Sequence, residues 1–248
     1  MRVLILGVGD AFTRLHYGSS AVIEGPGGYA LLDCPDLIHR ALFEATSRAG
    51  WSLDASGIDD ILLTHLHGDH CNGLESFGFS RRLVNPDAAT RPGIHPRIHT
   101  SRDAAGRLWE RLAPAMDAAT TASPRNLDDF YEVCVLEPGT MATVGGLSVE
   151  CRFTQHAVPT LGLLITDGAA TLGWSSDTPF EEAHIQWLSR ADVIVHECNR
   201  PPVHTPIESL NTLPPELTAK MRLIHLPDDF DRSATAISPL EQGEVLEL

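Results

Sequence analysis

Apolar residues along the chain fall mainly into short runs of strand length, separated by turns rich in glycine and proline. Strands are predicted at residues 2–6, 20–24, 29–33, 58–64, 133–136, 147–153, 161–166, 170–174, 193–195 and 222–226. Helical spacing between residues 37 and 45 predicts a helix that ends near Gly50, and two more helices are predicted after Ser101 and over residues 181–189. Two β-rich halves, each followed by helices, predict a four-layer α/β sandwich that forms one domain over residues 1–248.

Residues 80–130 interrupt this pattern, because they are rich in proline, arginine and alanine. We interpret the segment as an inserted cap that serves either as a lid or as an interface. Its predicted helix presents leucine, tryptophan and alanine at helical spacing, which favours a homodimer.

The composition is that of a globular and strongly acidic protein. Of the 248 residues 43% are hydrophobic, and the formal net charge is −15. This charge disfavours a long nucleic acid as partner, because such binding rests on neutralising phosphates. No apolar run is long enough to cross a membrane and the first residues read directly into a strand, so we expect a cytoplasmic protein. Residues 80–125 hold eight arginines against four acidic residues, which fits either a patch for a small anionic substrate or a solvated helix face.

The five cysteines are odd in number and contain no C-x-x-C pair. They predict buried thiols, with neither a disulfide framework nor a cysteine zinc site. The candidate metal ligands are therefore histidine and carboxylate side chains.

Such side chains are concentrated in the stretch Thr64-His65-Leu66-His67-Gly68-Asp69-His70, at the end of a predicted strand. Alternate strand residues share a face, so His65 and His67 point the same way, and the following turn brings Asp69 and His70 around the same cavity. Burial of these groups without partners would be unfavourable by several kcal/mol each. Metal coordination removes this penalty, and imidazole with carboxylate suits Zn²⁺ first, with Mn²⁺ and Fe²⁺ as alternatives.

This motif, with a β-rich half on either side, resembles that of the metallo-β-lactamase-fold hydrolase superfamily. Four other segments resemble further landmarks of that family and occur in the family's order. They are Leu31-Leu32-Asp33-Cys34, Thr154-Gln155-His156-Ala157-Val158-Pro159, Gly173-Trp174-Ser175-Ser176-Asp177-Thr178 and Leu223-Ile224-His225. The resemblance covers nearly the whole chain and implies an α/β fold of the metallo-β-lactamase-like αββα sandwich type.

The resemblance also implies a site with two divalent metal ions. One ion would be held by His65, His67 and His156, the other by Asp69, His70 and His225, and Asp177 would bridge them. A hydroxide shared by the two ions would then attack the substrate.

Two carboxylates have further implied roles. Asp69 would also accept a proton from the attacking water, and Asp33 would orient a ligand histidine through its second ring nitrogen. From the residues alone, His156 and His225 are also compatible with ordinary surface histidines, Asp177 with a helix N-cap and Asp33 with a turn aspartate.

Further segments resemble ribonuclease Z and its small-substrate phosphodiesterase relatives. They are Gly7-Val8-Gly9-Asp10-Ala11 followed by Ser19-Ser20, and Val195-His196-Glu197-Cys198 followed by His204-Thr205. The resemblance implies that Glu197 orients His204 and that His204 protonates the leaving group. His204 also fits a surface loop histidine among prolines. A long basic arm for clasping transfer RNA has little room here, since only twenty residues separate His156 from Asp177.

These observations favour a dinuclear metal-dependent phosphodiesterase that acts on a small or cyclic phosphodiester. Arg81, Arg82 and Arg97 are candidates for phosphate binding. The main alternative is hydrolysis of a thioester, lactone or amide by the same site. A third alternative, a binding or carrier protein on this fold, is disfavoured because none of the implied ligands is lost.

Overall fold

A computed structural model of the protein describes residues 1–84 and 95–248. Residues 85–94, which belong to the predicted inserted segment, lie outside the described residues. Of the helices that the structure describes, none is long and apolar enough to pass through a membrane.

The strands of the described residues form two seven-stranded sheets. The first sheet has the spatial order β14 (Val245–Glu247), β1 (Arg2–Gly7), β2 (Ser20–Gly25), β3 (Gly28–Leu32), β4 (Ile58–Leu62), β5 (Arg97–Ser101) and β6 (Glu132–Leu136). The second has the order β13 (Ser238–Pro239), β12 (Met221–Ile224), β11 (Val193–Glu197), β10 (Thr171–Trp174), β9 (Leu161–Thr166), β8 (Leu147–Phe153) and β7 (Met141–Val144). Each sheet is parallel on one side and antiparallel on the other.

Helices cover the outer face of each sheet. The first sheet packs against α1 (Ile38–Ala49), α2 (Gly68–Cys71), α3 (Leu74–Val84) and α4 (Arg102–Met116). The second packs against α5 (Glu182–Leu188), α6 (Ile207–Leu210) and α7 (Pro215–Thr218). Between the sheets, a third apolar cluster draws residues from both, with Ile23 and Leu62 on one side and Val149 and Ile165 on the other. This helix-sheet-sheet-helix layering confirms the αββα sandwich.

Local sequence explains why these elements begin and end where they do. Helix α1 ends at Gly50, whose φ of 70° is a left-handed conformation that glycine adopts without steric penalty. Helix α4 begins after Ser101, whose side chain accepts a hydrogen bond from the Ala104 amide at 3.2 Å, as expected of an N-cap. Strand β8 alternates buried and partly exposed residues because one of its faces lies on the core.

The predicted inserted segment contains both a strand and a helix of the sandwich. Strand β5 pairs with β4 and β6 in the first sheet, and α4 packs on that sheet. The sequence predicts a strand at residues 58–64, and β4 is two residues shorter since it ends at Leu62.

The strands that precede the candidate site residues point their carboxyl ends toward one edge of the sandwich. Strands β3 and β4 are parallel, as are β10, β11 and β12, while β8 runs in the direction of β10 because both are antiparallel to β9. The candidate site residues follow the ends of these strands.

Candidate metal centre and active site

The histidine motif lies in the connection from β4 to α2. His65 is fully buried, and its ring centroid lies 4.9 Å from that of the half-buried His67, so the two side chains point to one place as predicted. His67 stands directly before α2 in an extended conformation. Asp69 and His70 then lie in the single turn of α2, which carries them to the other side of the same cluster.

One group of donor atoms consists of His65, His67, His156 and Asp177, with one ligand atom from each within 4.8 Å of the others. The Nε2 atoms of His65 and His156 lie 3.7 and 3.6 Å from Asp177 Oδ2. His156 Nε2 lies 3.0 Å from His67 Nδ1, although 89 residues separate them in sequence. His156 lies in the loop after β8 and Asp177 in the loop after β10. Both loops therefore contact the histidine motif, as the resemblance implied.

A second group contains Asp69, His70 and His225, again within 4.8 Å of one another. Asp69 Oδ2 lies 3.2 Å from His225 Nε2 and 3.4 Å from His70 Nε2. Asp177 adjoins this group as well, since its Oδ1 lies 3.5 Å from His70 Nε2 and its Oδ2 lies 3.7 Å from His225 Nε2. Asp177 thus stands between the two groups.

Several ring nitrogens in these groups are buried without a hydrogen-bond partner. They are His65 Nε2, His70 Nε2, His156 Nδ1 and His225 Nδ1. Unpaired buried polar atoms are rare and unfavourable in folded proteins. For His65 and His70 the unpaired atom is the one that faces Asp177, so a cation bound there would satisfy it. Imidazole and carboxylate donors in this number fit a divalent metal ion.

The protonation states of His65, His156 and Asp177 agree with that fit. At His70 and His225, by contrast, the carboxylate of Asp177 outweighs burial and raises the pKa, so a cation bound there would displace a proton from these two. Burial, aided by the neighbouring His70, lowers the pKa of His65 well below its usual value, and burial lowers the pKa of His156 to about 4. Burial opposes ionisation of Asp177, but the adjacent His225 and His70 outweigh it and hold the pKa of that carboxyl well below its usual range. Neutral imidazole and ionised carboxylate are the forms that bind metals.

Asp33 orients two of the histidines at once. Its carboxylate accepts hydrogen bonds from His70 Nδ1 at 2.8 Å, from the Thr64 amide at 2.8 Å and from the Thr64 hydroxyl. Because the Thr64 hydroxyl gives its proton to Asp33, it accepts from His65 Nδ1, which lies 3.0 Å away. Both histidines are thereby held with Nε2 directed at the cluster. The sequence analysis assigned no role to Thr64.

Glu197 and His204 form a pair beside the cluster. Glu197 is buried and its Oε1 accepts from His204 Nδ1 at 3.0 Å and from the Thr178 amide at 2.8 Å. The His204 ring lies 5.0 Å from that of His225 and 5.6 Å from that of His156. The structure therefore brings His204 to the two candidate metal groups, despite the short interval after Glu197.

The three arginines considered for phosphate binding are engaged elsewhere. Arg81 pairs with Asp59, Arg82 donates to the Asp129 carbonyl, and Arg97 makes two hydrogen bonds to Asp60 at 2.7 Å. Two other arginines of the same segment, Arg107 and Arg111, line a cavity of about 530 Å³ that also contains His67. The arginine count of residues 80–125 indicated such a contact, but nothing in the sequence selected these two.

The fold and this histidine and aspartate site define a hydrolase of the metallo-β-lactamase fold, as the motif predicted. The structure matches the metallo-β-lactamase fold protein YhfI from Bacillus subtilis with a TM-score of 0.79, over 99% of this chain and 98% of that one, at 19% identity. A family model described as anti-Pycsar protein Apyc1 matches residues 1–244, and the chain belongs to that family.

Two relatives illustrate the range of the match. The anti-Pycsar protein Apyc1 of Paenibacillus sp. (strain J14) is 29% identical over 100% of this chain and 99% of its own length. The cAMP/cGMP-dependent 3',5'-cAMP/cGMP phosphodiesterase B of Dictyostelium discoideum is 22% identical over 99% of this chain, which spans 22% of that longer protein. The match to the anti-Pycsar relative thus spans both chains, whereas the match to the phosphodiesterase covers one part of that protein.

Proposed function

We propose that this protein is a cyclic nucleotide phosphodiesterase that uses two divalent metal ions to hydrolyse a 3',5'-cyclic phosphodiester. Membership of the anti-Pycsar Apyc1 family and the name of the Dictyostelium relative support the substrate class. The observation that carries the proposal is the pair of donor groups that share Asp177, with the Glu197–His204 pair beside them.

His65, His67 and His156 would hold one ion and Asp69, His70 and His225 the other, with Asp177 between them. Zinc is the first expectation from the donor types, followed by manganese or iron. Two ions at such a site lower the pKa of water toward neutrality and polarise the scissile phosphate group.

The remaining residues position groups and move protons. Burial opposes ionisation of Asp69, but hydrogen bonds with His225 and His70 keep its pKa well below the usual range, so Asp69 accepts hydrogen bonds as a carboxylate at neutral pH. We assign to its other oxygen, Oδ1, the role of accepting a proton from the attacking water. Asp33 and Thr64 keep His65 and His70 in one tautomer and one orientation.

Opening of a cyclic nucleotide releases a sugar alkoxide, which needs a proton as the P–O bond breaks. His204 supplies it. Glu197 binds Nδ1 of His204 and fixes the orientation of the ring, which leaves Nε2 to face the leaving oxygen. Thiolate leaving groups need such a proton less, so the Glu197–His204 pair favours a phosphodiester over a thioester substrate.

The test compares two phosphodiesters that differ in how much their leaving groups need a proton. In the metal-loaded protein, His204→Ala should lower kcat on a 3',5'-cyclic nucleotide by about 100-fold or more. On a p-nitrophenyl diester the loss should be much smaller, because p-nitrophenolate leaves without a proton. Glu197→Gln should lower the cyclic nucleotide rate too, and the double variant should be no worse than His204→Ala alone, since the two residues act as one unit.

Metal stoichiometry is measured on every sample, so that a loss of metal is not mistaken for the loss of the proton donor His204. Binding of two ions per chain together with turnover of thioesters or lactones only would overturn the proposed phosphodiesterase activity. Equal losses on both diesters in His204→Ala, with metal content unchanged, would overturn the role of His204.

A further inference from the structure

The cavity that contains Arg107 and Arg111 adjoins the candidate metal centre through His67. A cyclic nucleotide whose phosphate lies at the metal centre must place its sugar and base within a few ångströms of it. The cavity volume of about 530 Å³ is within the range of small-molecule sites. The cavity is therefore large enough and close enough to take the organic part of such a substrate.

Helix α4 supplies the polar wall of this cavity. Arg107 and Arg111 are one turn apart and lie on the same side of the helix, while Leu108 and Leu112 are buried against the sheet. Arg111 donates to Asn72 Oδ1 at 2.5 Å, so it is tied to the residue that follows α2. Within residues 1–84 and 95–248, Arg107 takes part in no salt bridge. Its guanidinium is therefore available to a ligand.

The charges around the cavity distinguish between two kinds of ligand. Asp103 and Glu110 line it together with Arg107 and Arg111, so the wall of α4 carries two negative and two positive charges. A second phosphate group would meet the two carboxylates as well as the arginines. A neutral ring with hydrogen-bond acceptors and amino groups would satisfy both signs of charge.

The cavity also offers an apolar surface from the loop after β8. Val158 and Pro159 line it, two and three residues beyond the candidate ligand His156. A flat heteroaromatic ring can pack on such side chains and present its other face or its edge to an arginine. Guanidinium groups are planar, stack on aromatic faces and donate paired hydrogen bonds to ring acceptors.

We propose that this cavity is the nucleobase subsite and that Arg107 recognises the base, both by stacking and by hydrogen bonds to its oxygen or nitrogen acceptors. This inference rests on the proposed cyclic nucleotide phosphodiesterase. Arg107 then determines how tightly a nucleotide binds and contributes nothing to cleavage of the phosphodiester itself.

The test uses Arg107→Gln and Arg107→Lys in the metal-loaded protein, with two substrates. One is a 3',5'-cyclic nucleotide, and the other is methyl p-nitrophenyl phosphate, a phosphodiester without a base. Both variants should raise KM for the cyclic nucleotide by about 10-fold, the usual effect of losing one stacking contact to a base. kcat/KM for methyl p-nitrophenyl phosphate should stay unchanged. Calorimetric titration with the nucleoside monophosphate product should show the same loss of affinity.

Arg102→Gln provides the matched control. Arg102 is the first residue of the same helix, is exposed and pairs with Glu137, and it does not line the cavity. Its replacement removes one positive charge from α4 without touching the proposed subsite, so KM for both substrates should equal that of the unsubstituted protein.

Three results would overturn the subsite. They are an unchanged KM in Arg107→Gln, full recovery in Arg107→Lys, which would show that charge alone matters, and equal losses on both substrates, which would place Arg107 at the phosphate. Turnover of methyl p-nitrophenyl phosphate without turnover of any cyclic nucleotide would overturn the subsite while leaving a phosphodiesterase. Turnover of neither diester would instead be the failure of the proposed function.

Discussion

Two groups of buried aspartate and histidine side chains lie along β4, one within the strand and one beyond its carboxyl end, and they differ in how their polar atoms are satisfied. Asp60, within the strand, accepts two hydrogen bonds from Arg97 and one from His99, each at 2.7 Å. Past the end of the strand, His65 and His70 are equally buried but keep Nε2 atoms that make no hydrogen bond.

This difference separates a structural ion pair from a metal site. At Asp60 the positive charge comes from Arg97, so the carboxylate is compensated and the group needs nothing further. Around Asp177 the positive charge comes from the imidazoles of His70 and His225, whose pKa values the adjacent carboxylates raise against the effect of burial, while burial favours the neutral forms of His65 and His156. A divalent cation bound there would replace those protons and satisfy the unpaired Nε2 atoms of His65 and His70. Both groups contain buried aspartate and histidine side chains, but the ring nitrogens without a hydrogen-bond partner belong to the group around Asp177.

The sharpest test of this comparison replaces the central aspartate of each group by asparagine. Asp177→Asn should lower activity by more than about 100-fold and lower the metal content, because it removes the carboxylate that stands between the two donor groups. Even residues that only contact metal ligands account for about 10–100-fold effects. Asp60→Asn should leave kcat and metal content unchanged. The measurement is turnover of a cyclic nucleotide together with metal analysis of the same samples.

Thermal unfolding provides an independent measurement of the same pair. Added Zn²⁺ should raise the Tm of the metal-free protein and of Asp60→Asn, but should raise that of Asp177→Asn much less, because a ligand stabilises only the state that binds it. An equal rise in all three proteins would contradict the assignment of Asp177.

The motif at residues 64–70 could be interpreted from the sequence because its four donor side chains are neighbours in the chain. His156, Asp177 and His225 lie up to 156 residues from Asp69, and nothing local distinguishes them from other polar residues that follow strands. Their assignment depended on the family resemblance. The role of Thr64 was out of reach, since it follows from hydrogen bonds to Asp33, 31 residues away.

The strand β5 shows why part of the fold was missed. Its sequence Arg-Ile-His-Thr-Ser has polar residues on the face that points to the second sheet, where an apolar face would be expected. Arg97 and His99 are tolerated there because Asp60 of the adjacent strand compensates them. A pattern of apolar positions cannot reveal compensation between strands. The same pairing explains why Arg97, considered for phosphate binding, does not reach the site.

A smaller effect is expected from replacing Asp33, which orients the candidate ligands His70 and His65. Asp33→Asn should weaken Zn²⁺ binding by about 10–100-fold, because Asp33 holds His70 directly and His65 through Thr64. The measurement is a competition titration with a chelator at neutral pH. Asp60→Asn serves as the control for a buried aspartate that does not contact a ligand, and its affinity should be unchanged. Unaltered zinc affinity in a folded Asp33→Asn protein would show that the histidines hold their orientation without Asp33.

The smallest effect concerns acid stability and belongs to the Asp60 group. Burial raises the pKa of Asp60, but hydrogen bonds from His99 and Arg97 outweigh it and lower the pKa from 3.8 to about 2. A carboxylate whose pKa is depressed by folding stabilises the protein above the unfolded pKa and loses that contribution as the pH falls through the folded value. The unsubstituted protein should therefore lose about 2 kcal/mol of unfolding free energy between pH 4 and pH 2 through this group.

Urea unfolding of the metal-free protein across that pH range measures this loss. Asp60→Asn should be less stable than the unsubstituted protein at neutral pH, and the difference should shrink by about 2 kcal/mol on the way to pH 2. Asp59→Asn is the matched control, because Asp59 is the exposed neighbour that pairs with Arg81, and surface pairs contribute little. A pH dependence that is the same in all three proteins would mean that Asp60 is not held by Arg97 and His99. The Asp60 group would then not be the compensated ion pair with which the Asp177 group is compared.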